Sequence, residues 1–129
     1  NPNPFKMIEA DVVNNADTGA EVVTGSTRMK AGTATKLILN MISTTTMIKL
    51  GKVYGNLMVD LMAVNDKLVD RGTRIISQIT GLDFDSAKAK LYEAEKSVKT
   101  AIVMEKLNCS LDEARTTLEN ENGFLRRVL

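Results

Sequence analysis

The residue types able to do chemistry in this sequence gather in one run, Thr24-Gly25-Ser26-Thr27-Arg28-Met29-Lys30-Ala31-Gly32-Thr33-Ala34-Thr35-Lys36. Hydroxyls and a glycine lead into a helix-forming stretch, and the first-turn amides of a helix have no partner inside it. Those amides and the macrodipole make a helix start effectively positive. A phosphate there can accept several N–H bonds, with Ser26 and Thr27 adding their hydroxyls. Arg28 and Lys30 fall in the expected first turn, where a cation opposes the dipole at a cost of roughly 0.3–1 kcal/mol each. A bound anion would turn that cost into attraction. Farther on, Thr33, Lys36, Asn40 and Ser43 or Thr44 recur at three- and four-residue spacing and form one polar stripe, suited to a polyhydroxylated ligand. A plainer reading stands beside this one: hydroxyls before a helix cap it, Lys and Arg are solvated, and the stripe is the wet face. The run has neither the Walker P-loop spacing nor G-x-G-x-x-G.

Composition removes other chemistries. The sequence has no His, so the commonest general base, the Ser-His and Cys-His pairs and the commonest metal ligand are absent. The one cysteine, Cys109, excludes an internal disulfide and a cysteine zinc cluster. Chemistry must come from carboxylates, Lys, Arg, hydroxyls or backbone amides. A net charge of +1, with 4% aromatics and no basic-aromatic interleaving, argues against nucleic acid as a partner. No signal peptide and no apolar run of membrane-spanning length are seen, so a cytoplasmic protein without a membrane partner is expected.

The elements that must position these residues are mostly helical. Residues 1–25 read as irregular: a short turn or helix from Asn3-Pro4 to Ala10, then small extended pieces at Asp11–Val13 and Glu21–Val23 among turn formers. A long helix is expected from about Thr27 to Leu50, ended by Gly51 in the C′ position. Its apolar residues, among them Leu37, Ile38, Met41, Ile42, Met47 and Ile48, cover so wide an arc that burial on several sides is expected. Val53–Val64 reads as a connector, and Asn65 caps a helix over about Asp66–Ile79 that Gly81 stops. Three short helices follow, capped by Asp85, Ser97 and the Ser110–Glu113 capping box, with Gly123 and an apolar tail after them.

The run Glu21-Val22-Val23-Thr24-Gly25-Ser26-Thr27-Arg28-Met29-Lys30-Ala31-Gly32-Thr33-Ala34-Thr35-Lys36-Leu37-Ile38-Leu39-Asn40 resembles the signature of the N-acetylmuramic acid 6-phosphate etherases, which the animal glucokinase regulatory proteins share. Leu50 to Asp60 and Gly123-Phe124-Leu125-Arg126-Arg127 are similar to the same family, so the likeness spans nearly the whole chain. The resemblance implies an α/β SIS-type fold in the complete protein, a parallel sheet flanked by helices. This chain would supply its mostly α C-terminal portion, with residues 1–81 in the SIS sugar-phosphate domain and residues 82–129 as a three-helix tail resembling a ubiquitin-associated (UBA) fold. The stretch Asp11 to Ala20 departs from the family's strand and Gly-Pro, which weakens the expected last strand.

The function implied is cleavage of the lactyl ether of N-acetylmuramic acid 6-phosphate. The products would be N-acetylglucosamine 6-phosphate and D-lactate, formed in cell-wall sugar recycling by β-elimination and addition of water. It would need no metal or organic cofactor, and the catalytic glutamates would lie in an N-terminal half outside this sequence. The residues carried over as substrate or phosphate contacts are Glu21, Ser26, Thr27, Arg28, Lys30, Thr33, Lys36 and Asn40. The partners implied are a phosphorylated amino sugar and a second copy in a homodimer. A non-catalytic sugar-phosphate-sensing regulator is the alternative, disfavoured because the animal regulators carry two SIS domains. The small helices of the tail read as a packing module rather than a ubiquitin-binding one.

Overall fold

The computed structural model describes residues 9–129, so the turn or helix expected from Asn3-Pro4 lies almost wholly outside the described residues. The chain divides into two compact units, one running to Ser43 and the other Thr44–Leu129.

In the first unit no strand forms among residues 9–29. The pieces expected to be extended at Asp11–Val13 and Glu21–Val23 are irregular backbone and turns. Local polar chemistry accounts for this: Asp17 Oδ1 accepts the N–H of Gly19 at 3.0 Å, and Gly19 (φ 65°) and Gly25 (φ 81°) adopt left-handed conformations that break extension. Helix α1, Lys30–Lys49, begins three residues after the expected Thr27. It ends as expected. Gly51 sits at φ 68°, its N–H bonds Ile48 O at 3.1 Å, and the N–H of Lys52 bonds Met47 O at 3.1 Å, both bonds of a Schellman motif. No residue of α1 is buried, and Leu39 and Met41 are 61% and 60% exposed.

The second unit is built around one helix. The elements are β1 (Val53–Tyr54), β2 (Leu57–Met58), α2 (Asp66–Thr80), α3 (Phe84–Glu93), α4 (Val98–Leu107), α5 (Leu111–Asn120) and α6 (Leu125–Val128). All of Val98–Met104 on α4 is buried, and α4 packs against α2, α3, α5 and α6. Helix α2 presents Val69, Gly72, Thr73, Ile75 and Ile76 inward at helical spacing. Gly72 lets α2 lie close against α4: a Cβ there would stand 2.8 Å from Val98 Cγ2. Helix α2 thus closes this core together with α3 and α4.

Caps set the helix limits. Asn65 Oδ1 accepts from Leu68 N–H, Ser97 from Thr100 N–H, and Ser110 with Glu113 forms the full capping box. One cap differs from expectation. Asp83, not Asp85, starts α3, because its carboxylate accepts both the N–H and the hydroxyl of Ser86, at 3.0 and 2.6 Å. The expected connector also holds a hairpin, with Val53 opposite Met58 and Tyr54 opposite Leu57. Its two-residue loop has Gly55 at φ 59° and Asn56 at negative φ, the pattern of a type II′ turn.

Candidate functional site

The chemistry-bearing segment is organised by Glu21. Its two carboxylate oxygens accept the N–H groups of Lys30 and Ala31, each at 3.0 Å. The next two amides of the helix start are engaged as well: Gly32 N–H bonds Thr27 O at 2.8 Å and Thr33 N–H bonds Met29 O at 3.1 Å. The amides of Lys30, Ala31 and Gly32, which have no acceptor in the helix ladder of α1, thus all find one elsewhere. The expected caps, Ser26 and Thr27, take none of them through their hydroxyls. Lys30 Nζ turns back to donate to Ala20 O at 2.8 Å, so the residue carrying the first helical amide also ties down the neighbour of Glu21.

Between these ties runs a compact loop. Ser26 N–H bonds Val23 O at 3.0 Å, closing a turn with Gly25 third and at φ 81°, as a type II turn requires. Thr27–Met29 form a second turn before the helix. Arg28 therefore lies outside α1 and does not oppose its dipole from the first turn. Ser26 is half-buried, and Thr27 and Arg28 are exposed. Gly32 is tightly placed, since a Cβ there would lie 3.3 Å from Thr27 O.

Electrostatics at this start rest on the same contacts. The N–H bonds from Ala31 and then Lys30 hold the Glu21 carboxyl below its ordinary value, partial burial opposes them, and the Lys30 charge adds to the lowering. An ionised carboxylate at a helix N-terminus is favourable. The helix start is already complemented by an acid from this chain, a feature missing from the sequence reading because α1 has no acid in its own first turn. The polar stripe forms as expected: Thr33, Lys36 and Asn40 lie exposed on one face of α1, and Ser43 Oγ donates to Asn40 O at 3.2 Å.

A second polar cluster stands in the Thr44–Leu129 unit. Asp60 pairs with Lys52 and, at 3.1 Å, with Lys99, which is only 8% exposed and also donates to Gly123 O at 2.6 Å. Burial raises the Asp60 carboxyl, but the bonds from Lys52 and Lys99 outweigh it and hold the group below its ordinary value. The sequence gives no local signal of this cluster. Among the described residues no three His, Cys, Asp or Glu side chains gather as a metal site, and no helix is long and apolar enough to cross a membrane.

No family model matches the chain. Curated relatives do. A protein of Oceanobacillus iheyensis named N-acetylmuramic acid 6-phosphate etherase is 58% identical over 92% of this chain and 40% of its own length. Proteins of the same name from Shouchella clausii and Pectobacterium atrosepticum are 54% and 51% identical over 93% and 98% of the chain. The chain spans 40–43% of the length of these three relatives. Identity above one residue in two, sustained over nearly the whole chain, places it by sequence in the N-acetylmuramic acid 6-phosphate etherase family.

Proposed function

We propose that the complete protein cleaves the lactyl ether of N-acetylmuramic acid 6-phosphate, giving N-acetylglucosamine 6-phosphate and D-lactate, and that this chain supplies one wall of its substrate site. The observation that carries the reading is the 51–58% identity to etherases over almost all of the chain. In this reading the Glu21–Asn40 segment receives the phosphosugar. Arg28 meets the phosphate with a charge-assisted bond, and Ser26 and Thr27 add hydroxyl bonds. Thr33, Lys36 and Asn40, aligned along α1, face the sugar's hydroxyl and amide groups.

The acid and base of the elimination are assigned to glutamates outside this chain. Two carboxyls serving opposite roles near neutral pH need surroundings that push their pKa values apart. The reading extends to architecture. Residues 1–81 would belong to a SIS-type sugar-phosphate domain and residues 82–129 to a UBA-like helical tail, within a cytoplasmic homodimer. The uncovered apolar residues of α1 fit a helix that the rest of such an assembly covers. Enzymatic detection of D-lactate after incubating the full-length protein with N-acetylmuramic acid 6-phosphate tests the reading. Phosphosugar binding without lactate release would contradict it.

A further inference from the structure

We propose that Glu21 is a positioning residue of the phosphosugar site, which acts through the backbone rather than by touching the substrate. The inference rests on the reading that the Glu21–Asn40 segment lines that site. Its observation is the two-point grip of one carboxylate on the amides of Lys30 and Ala31, nine and ten residues downstream.

That grip closes the loop carrying Ser26, Thr27 and Arg28 onto the start of α1. The Lys30 Nζ bond to Ala20 O fastens the same two strands of chain a second time. Without such ties a loop of this length samples many conformers, and a ligand would have to order it at its own expense in affinity. The contacts also limit how a phosphate can bind. With the Lys30 and Ala31 amides held by Glu21 and those of Gly32 and Thr33 by backbone carbonyls, no amide from Lys30 to Thr33 is vacant. Glu21 itself is held ionised and would repel a phosphate dianion at contact. The anion contacts therefore come from the side chains that the loop presents, above all Arg28, while Glu21 stands behind them and fixes the loop.

The test uses the full-length protein and its Glu21→Gln and Glu21→Asp variants, with N-acetylmuramic acid 6-phosphate as substrate and amide hydrogen exchange as a second readout. Glu21→Gln replaces one acceptor oxygen by a donor, so exchange at Lys30 and Ala31 should quicken. KM should rise about tenfold while kcat stays within about twofold, the signature of lost positioning in binding. Glu21→Asp keeps the charge and should recover part of the lost affinity. An unchanged KM despite faster exchange at the two amides would overturn the proposal, and so would a collapse of kcat at constant KM. If the wild type binds the phosphosugar without turning it over, the etherase reading fails and the same comparison is made on Kd. A roughly tenfold weaker Glu21→Gln then supports positioning, and equal Kd values overturn it.

Discussion

The ammonium of Lys99 lies 2.6 Å from the carbonyl oxygen of Gly123, a residue 24 positions away, and so joins the central helix α4 to the turn after α5. Gly123 can present that carbonyl because it takes φ 75°, with its own N–H bonded to Leu118 O at 2.7 Å. Through Asp60, Lys99 also reaches the segment after the hairpin.

Removing the Lys99 charge while keeping a long side chain, as in Lys99→Met, leaves the Gly123 carbonyl and one Asp60 oxygen without a donor. The expected loss is about 1.5–3 kcal/mol, the range for hydrogen bonds to charged groups. Lys52→Met, at the exposed side of the same carboxylate, should cost no more than about 1 kcal/mol. Urea unfolding of the two variants measures the contrast, and equal losses would contradict the ranking.

Gly72 tests the close packing of α2 on α4. A methyl at this position meets Val98 Cγ2 at 2.8 Å, and Val98 is fully buried and stiff at χ1. Alanine favours the helix by about 0.8–1 kcal/mol over glycine, and overpacking costs about 1–3 kcal/mol. Gly72→Ala should therefore destabilise on balance, and adding Val98→Ala should recover the clash component as positive coupling in a double-mutant cycle. Simple additivity would show that the helices separate without strain.

What the sequence made legible was the chemistry that acts over three or four residues. The caps at Asn65, Ser97 and Ser110–Glu113, and the C′ glycines at 51 and 81, stand where local rules put them. Asp83 and Asp85 flank Phe84 and are equally able to cap in sequence terms; the hydroxyl of Ser86 decides for Asp83. The Gly55-Asn56 loop between Tyr54 and Leu57 was a readable hairpin signal, hidden by strands of only two residues each. Glu21 was legible as a candidate but not in its role. A cap delivered from nine residues back, across two turns, has no local pattern. The burial of Lys99 is likewise set by partners at 60 and 123, and a lysine on a short helix otherwise reads as solvated.

Acid should unfold the second unit in a defined window. Asp60, Asp83 and Glu113 are each held below their ordinary values, about 3.8 for Asp and 4.5 for Glu, the last two by their Ser86 and Ser110 bonds. For such groups the unfolded chain binds protons first, so their stabilisation is complete above the ordinary values and is lost as pH falls through the depressed ones. Stability measured by urea unfolding should be level from pH 7 to about 5 and drop below about 4.5. In Glu113→Gln the drop should be shallower. A stability that rises on acidification would contradict these contacts.

Arg28 separates ligand recognition from folding. It stands in the Thr27–Met29 turn, outside α1, and the helix start is already complemented by Glu21. Arg28→Ala should leave the melting temperature of the full-length protein unchanged and weaken phosphosugar binding by about 1–3 kcal/mol, the range for a charge-assisted bond. Calorimetric titration gives the second quantity. Equal affinities for wild type and variant would leave the loop as a helix start without a ligand role.

The central claim, that the full-length protein is an N-acetylmuramic acid 6-phosphate etherase, is tested most directly by following lactate and sugar phosphate together after that substrate is added. The account predicts D-lactate and N-acetylglucosamine 6-phosphate in equal amounts, with far slower release from N-acetylmuramic acid lacking the phosphate. Saturable binding of the phosphosugar with no D-lactate formed would contradict it.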